Sequence, residues 1–390
     1  VKRVWIILLS WVVADSCIER VDYEIPDSYS NDLVVDGLIT NEPGPYVVNI
    51  SQVIKIDATS PLGIPVDVKR ITIYDDSGTS EVLTHIRTGT YQTDPDGIRG
   101  EIGRTYYIRV ELMDGGVFES IPDKMDLVGG VDSIYYDFES YQPTNGPTEY
   151  LYRIYTDAHQ AEGGNNLIRW KLHGTYVVET LPQFTHCPTP PCIWCPTPCS
   201  GYAWVNGELH EGYAINPVTN EPEYVIGLTC TCCRCWVTPP EAKPKVNDLQ
   251  FSHGRFLGVE LGTIPVNFYT FFEKYRVQVI QMSLSPNAHT YWKAIQEQKE
   301  AIGSLFQPVT GEIPTNIEGT ETDRRVQGIF YASAVAKKTI YLKKDLNKVS
   351  VRVPQDDCNG KLREGAIGLD CRIAFPGSYS TTEKPDDWVD

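Results

Sequence analysis

None of the compact catalytic signatures occurs in this 390-residue chain. There is no G-x-S-x-G elbow, no H-E-x-x-H, no P-loop and no G-x-G-x-x-G. Serine hydrolases, zinc proteases and nucleotide-dependent enzymes therefore have no support from motif. Histidine is sparse: His85, His159, His173, His186, His210, His253 and His289 are scattered singly and read as surface or satisfied core residues. Positive charge is in deficit, with 34 Lys and Arg against 51 Asp and Glu and a formal net charge of −17. Such a surface repels phosphate backbones and argues against nucleic acid as a partner. Past residue 13 no second long apolar run follows, so no further segment resembles a span of roughly 20 apolar residues.

What the chain does have begins at its start. Two basic residues, Lys2 and Arg3, precede an apolar run, Val4–Val13, and then Ala14-Asp15-Ser16-Cys17. A basic start, a short apolar stretch and small residues before a cut form a secretory signal peptide. A cysteine at the cut points to the lipoprotein variant, with Cys17 as the lipidation site. Several acyl chains anchor far more firmly than the single chain that binds only marginally. The alternative is an ordinary secreted protein cut near Ser16. Residues 1–16 are thus read as leader and 17–32 as a polar tether.

Composition favours strands. Tyrosine is frequent (23), methionine rare (3), and Gly (31) and Pro (27) punctuate the chain at short intervals. Short β-branched and aromatic runs between turn residues mark sandwiches and barrels. The first set is Leu33–Asn41, Tyr46–Val53, Val68–Asp75, Glu81–Ile86 and Thr105–Leu112. This spacing predicts an immunoglobulin-like β-sandwich over 33–122. A second set runs Val131–Glu139, Glu149–Asp157, Asn166–Leu181, Arg255–Val266, Tyr275–Ser285, Arg325–Leu342 and Val349–Pro354. It predicts a larger, mostly antiparallel β-rich domain over 123–354. One helix is expected, capped by Ser285, opened by Pro286 and stopped by Gly303, with Ala288, Tyr291, Trp292, Ile295 and Ile302 packing on the sheet. The fold class is mainly β.

Between 182 and 240 the chain changes character. Cys187, Cys192, Cys195 and Cys199 form one cluster, and Cys230, Cys232, Cys233 and Cys235 a second. Two explanations compete. Disulfides could use all eight and staple a proline-rich excursion. A zinc site would want two C-x-x-C-like knuckles, such as Cys192 with Cys195 and Cys230 with Cys233 or Cys232 with Cys235. It would leave the remaining thiols unexplained, so disulfides and no metal are the expectation. Cys358 and Cys371 make a natural fifth pair, closing the tail at 355–390. Asp94-Pro95-Asp96-Gly97 with Glu101 has some features of a calcium loop but reads better as a hairpin turn. The aromatic residues Trp194, Tyr202, Trp204, Tyr213 and Trp236, in or beside the excursion, are candidate contacts for a ligand or partner. The other reading makes them the excursion's own small core.

Several segments taken together resemble a known family. LVVDGLITNEPGPYVVNIS (33–51), CCRCW (232–236) and YRVQVIQMSLSPNAHTYWKAI (275–295) are similar to the Bacteroidota lipoprotein family called domain of unknown function 4249. GSLFQPVTGEIPTNIEG (303–319), VQGIFYASAV (326–335), DCR (370–372) and KPDDW (384–388) follow in the expected order. The resemblance implies an outer-membrane lipoprotein accompanying a TonB-dependent transporter. It supplies no catalytic residues and no cofactor. The expected function is that of a non-enzymatic, lipid-anchored outer-membrane accessory or cargo-binding protein. A structural or adhesive surface lipoprotein is the alternative, and a surface hydrolase the second.

Overall fold

The computed structural model of the protein describes residues 32–53, 63–144, 146–182, 196–216, 218–247, 254–267, 269–301, 313–322, 324–343, 366–367 and 369–389. Cys17, Cys187, Cys192, Trp194, Cys195, Cys358, the helix stop at Gly303 and the strand expected at Val349–Pro354 lie outside these residues. The described chain is mainly β, and its α-helix spans Pro286–Ala301.

The first unit is built around β1 (Leu33–Thr40), β2 (Val47–Gln52), β3 (Arg70–Asp75), β4 (Ser80–Val82), β5 (Thr84–Arg87), β6 (Thr90–Gln92), β7 (Thr105–Glu111) and β8 (Val117–Ser120). Period-two alternation decides which side chains go inside. In β1, Leu33, Val35 and Ile39 are fully buried while Asp36 faces out. One sheet pairs β1, β2, β6 and β5 in that order; the other pairs β8, β7, β3 and β4. Ile71, Ile73, Ile108, Val110 and Phe118 meet the β1 residues in one core. Fully burying each such side chain contributes about 1.5–3 kcal/mol. The single strand expected over Glu81–Ile86 is two strands in different sheets. Leu83, buried between them, donates its N–H to the Ile71 carbonyl at 2.9 Å, and the chain crosses the sandwich there.

Along the rest of the chain follow β9 (Val131–Tyr141), β10 (Glu149–His159), β11 (Ile168–Thr180), β12 (Arg234–Thr238), β13 (Arg255–Val266), β14 (Tyr275–Ser283), helix α1 (Pro286–Ala301), β15 (Ile317–Gly319), β16 (Val326–Ser333), β17 (Val335–Leu342) and β18 (Tyr379–Thr381), of which all but β15 and β16 belong to the second unit. A three-stranded sheet, β9-β10-β13, lies on a larger sheet ordered β17-β14-β11-β12-β18. Tyr152, Ile154, Ile264 and Val266 from the small sheet pack against Tyr176, Val178, Val237 and Val277 from the large one. Ser285 caps α1 as expected: its Oγ accepts the Ala288 N–H at 3.2 Å, and Pro286 is the first helical residue.

The division of the chain into units is not sequential. β15 pairs with β8, and β16 lies parallel to β1 over eight residue pairs, Leu33↔Val326 to Thr40↔Ser333. Ile317, Phe330 and Ala332 join the first core. The run read as one strand over Arg325–Leu342 therefore breaks at Ala334, with β16 completing the sandwich and β17 the second unit. The excursion also returns earlier than expected, because β12 is already a strand of the large sheet. The β1–β16 contact depends on one glycine. Gly328 sits at φ +92°, and a Cβ there would stand 2.0 Å from the Val35 carbonyl oxygen. Gly328→Ala is expected to lose about 2 kcal/mol or more, read as a lowered thermal midpoint.

The tail is tied differently from the expectation. Cys371 is bonded to Cys235 in β12, not to Cys358. The reason is topological: the tail returns along the large sheet, where β18 pairs with β12. Cys199–Cys232 and Cys230–Cys233 are the other described bridges. The eight cysteines of the two clusters consequently do not pair only among themselves, since Cys235 bonds outside them.

Candidate functional site

The aromatic residues expected to make contacts are not gathered into one site. Trp236 is a core residue: it is 8% exposed and meets Trp388 edge-on at 6.4 Å, beside Val177. Its place on β12 takes it out of the excursion altogether. Tyr202 and Trp204 sit on a hairpin of strands Tyr202–Val205 and Glu208–Glu211. Tyr213 belongs to the next hairpin, where its ring meets that of Tyr224 at 5.4 Å. Cys199, Cys232 and Asp370 lie at metal-ligand spacing, but the two sulfurs are bonded to each other. Hydrogen bonds from the Arg372 guanidinium and from its backbone N–H hold the Asp370 carboxylate below its usual pKa range, with burial opposing them. In the calcium-like turn, the Asp94 and Ile98 amides both donate to Glu81, at 2.6 and 2.5 Å. That arrangement is a stapled turn.

A different set of residues forms the candidate site. The large sheet has two unlike faces. On one, Trp170, Leu172, Tyr176, Val277 and Val279 pack beneath the small sheet. The opposite face carries Arg169, Lys171 and His173 from β11, Arg276 from β14 and Lys337 from β17. The register fixes this: Lys171 opposes Ile280, which opposes Lys337, and Thr175 opposes Arg276. Five cationic or titratable basic groups on one face of one sheet stand out in a chain of net charge −17.

Two neighbours cover the ends of this face. At one end the tail crosses it: Asp387 pairs with Arg276, and Tyr341 donates to the Asp387 carbonyl at 2.9 Å. At the other end stands the sandwich. Between them His173 is held down to about 4, first by burial and then by Lys171, Arg276 and Lys337. It is therefore neutral at ordinary pH.

Where the sandwich meets the large sheet there is a cleft of about 380 Å³. Its walls are the outward side of β1 (Asp36, Leu38), Tyr331 of β16, Trp292 of α1, Glu241, and the basic face of the sheet at Arg169, Lys171 and Lys337. Arg169 organises the inner wall. Its guanidinium lies 3.7 Å from the centre of the Trp292 ring, donates to the Tyr331 hydroxyl at 3.3 Å and pairs with Glu241. Such a cation over a tryptophan face is favourable when shielded from water. Lys337 pairs with Glu42 at the rim.

Two charged groups remain. Asp36 and Lys171 have no ion pair with each other or with any other described residue. Asp36 is exposed to the cleft yet has protein on most sides, and the thin hydration raises its pKa above the usual carboxylate value. Arg169 and Lys171 pull it back in part.

A larger cavity, about 490 Å³, opens on the other face, between β11 and β13. It is lined by Tyr176, Tyr269, Tyr275 and Phe375, which stack or meet edge-on with ring centres 5.0 to 6.3 Å apart. These rings are the open margin of the core. The charged cleft is the better candidate because, among the described residues, it leaves opposite charges without an ion pair in a recess.

The family model of a domain of unknown function, DUF4249, matches residues 18–339. The chain belongs to this family. A search of curated proteins finds no match, and neither does a search of solved structures. For this DUF4249 protein the cleft geometry must therefore carry the functional argument. The sequence held one signal for it. In R-W-K-L-H (169–173) basic and apolar residues alternate, so a strand there puts three basic groups on one face. Asp36 and Glu241 gave no local signal, because the β1–β16 pairing and the approach of the two units bring them in.

Proposed function

We propose that this chain is a lipid-anchored outer-membrane protein that works without catalysis, as an accessory or cargo-binding partner of a TonB-dependent transporter. The observation that carries the binding role is the cleft between the two β units, where neither Asp36 nor Lys171 forms an ion pair with a described residue. Small-molecule sites favour such junctions. The disulfides agree with an exported protein, and the leader with Cys17 supports the anchor. The transporter partnership comes from the family resemblance.

Strand order supports an immunoglobulin-like first unit. Lettered A, B, C, C′, D, E, F, G along the chain, its sheets read A-B-E-D and G-F-C-C′. The hydrolase reading loses ground in the cleft. Hydrolysis of a glycosidic bond needs two working carboxylates. Glu42 and Glu241 are already paired with cations, leaving Asp36 alone. An adhesive role has one observation in its favour: Tyr135, Tyr136 and Tyr141 on β9 are each at least 40% exposed.

The test is to solubilise the native outer membrane gently, recover the protein by a C-terminal tag and identify what accompanies it. A stoichiometric TonB-dependent barrel is the expected result. Recovery of the protein alone would transfer the weight to the adhesive reading.

A further inference from the structure

We infer that the cleft takes a small zwitterion, a free α-amino acid. This rests on the reading of the cleft as the cargo site and adds the class of cargo.

Charge pairing inside the recess carries the inference. Three cations and three carboxylates line it. Arg169 takes Glu241 and Lys337 takes Glu42, which leaves one group of each sign, Lys171 and Asp36. A simple anion placed between them would meet Lys171 favourably and Asp36 unfavourably. A simple cation would do the reverse. A molecule with an ammonium and a carboxylate a few bonds apart satisfies both at once.

A second observation agrees. Arg169 is 3% exposed, yet among the described residues its Nε has no hydrogen-bond partner, and neither does Oε1 of Glu241. A buried polar atom left unpaired is costly and rare. Here one orphaned donor and one orphaned acceptor sit on neighbouring side chains of the cleft wall. They match the two ends of the same ligand, reached through a small turn of the Arg169–Glu241 pair. Trp292 and Ile280 leave an apolar wall for a side chain. The volume of about 380 Å³ lies near the bottom of the range for small-molecule sites, about 300–1,000 Å³, and so fits one small molecule.

The experiment uses the full chain and two measurements, thermal shift and titration calorimetry. Probes are the twenty common L-amino acids, followed by the N-acetyl and C-amide forms of the best binder. At least one uncapped probe should raise the unfolding midpoint, and either cap should weaken its binding tenfold or more. Asp36→Asn should erase the penalty for N-acetylation, and Lys171→Met the penalty for amidation. Both side chains face the cleft, so neither change touches the cores, and either variant alone suffices as a test. No shift with any uncapped probe overturns the inference. So does equal binding of the capped forms, or discrimination unchanged in both variants. A co-purified barrel without zwitterion binding would overturn the cargo class and leave the partnership standing. Zwitterion binding without a barrel would do the opposite.

Discussion

Replacing Cys235 and Cys371 together by alanine should lower the thermal midpoint by about 10 °C or more, the largest loss expected of any bridge described here. The bond joins residues 136 positions apart. In the chain-entropy model a closed loop of that length stabilises by about 5 kcal/mol, although the partition between entropy and enthalpy is disputed. For a cooperatively unfolding unit of about 150–250 residues, the size range of the second unit, each kcal/mol moves the midpoint by roughly 2–4 °C. Burial adds to the effect. Both cysteines are 0% exposed and lie in the core with Tyr176, Val178, Val237 and Tyr275. Two alanines there would leave a void as well as a free tail.

The tail does more than fill space. It brings Trp388 against Trp236 and Tyr341, and Asp387 onto Arg276. Losing the bridge should therefore also uncover part of the basic face. The control is Cys230→Ala with Cys233→Ala, which removes a bridge spanning only 3 positions between half-exposed residues. It should shift the midpoint by a few degrees at most. Thermal unfolding of both variants beside the parent checks the point, and equal shifts would refute the account.

The comparison of sequence with structure divides along the range of the forces involved. Local pattern was legible. Arg255–Val266 is a strand with the expected ends, and the Ser285-Pro286 cap starts the helix where expected. Alternation, turn residues and caps act within a few residues, so one sequence displays them. Pairing across the chain was not legible. Nothing near Ala334 announces that the residues before it complete the first sandwich while those after it join the second unit. That switch depends on which sheet edge was left open some 290 residues earlier, at β1. Cysteine pairing failed for the same reason: the nearest partner for Cys371 in sequence is Cys358, but the tail returns along β12. Trp236 looked like part of the excursion because it follows a cysteine cluster, whereas strand pairing makes it core. The cleft lies where two such long-range decisions meet, so only the R-W-K-L-H alternation hinted at it.

The junction behind the cleft has its own titratable group, and the pH dependence of stability should reveal it. Asp123 is 2% exposed. It accepts the Ser285 hydroxyl at 2.5 Å and the Ala332 N–H at 3.3 Å, and so joins the cap of α1 to β16. Burial pushes its pKa up from 3.8 to about 6, with those two hydrogen bonds opposing the rise. Below about pH 4 the carboxyl is protonated in both the folded and the unfolded chain. Between about 4 and 6 the unfolded chain gives up the proton while the folded one keeps it, so stability falls as pH rises. Above about 6 the loss is complete, on the order of 3 kcal/mol at 1.36 kcal/mol per pKa unit. Asp123→Asn keeps the shape but cannot ionise: its Oδ1 can still accept the Ala332 N–H, while its Nδ2 stands where the protonated carboxyl oxygen would and donates to the Ser285 Oγ. Its stability relative to the parent should improve by about that amount between pH 4 and pH 7.5. Denaturant unfolding of both proteins at the two pH values measures the difference, and other carboxylates cancel in it. A gap that does not change with pH would place the Asp123 carboxylate in water. The group matters to the cleft through what it joins. Trp292 stands on α1 and Tyr331 on β16, the two elements that Asp123 ties together from behind.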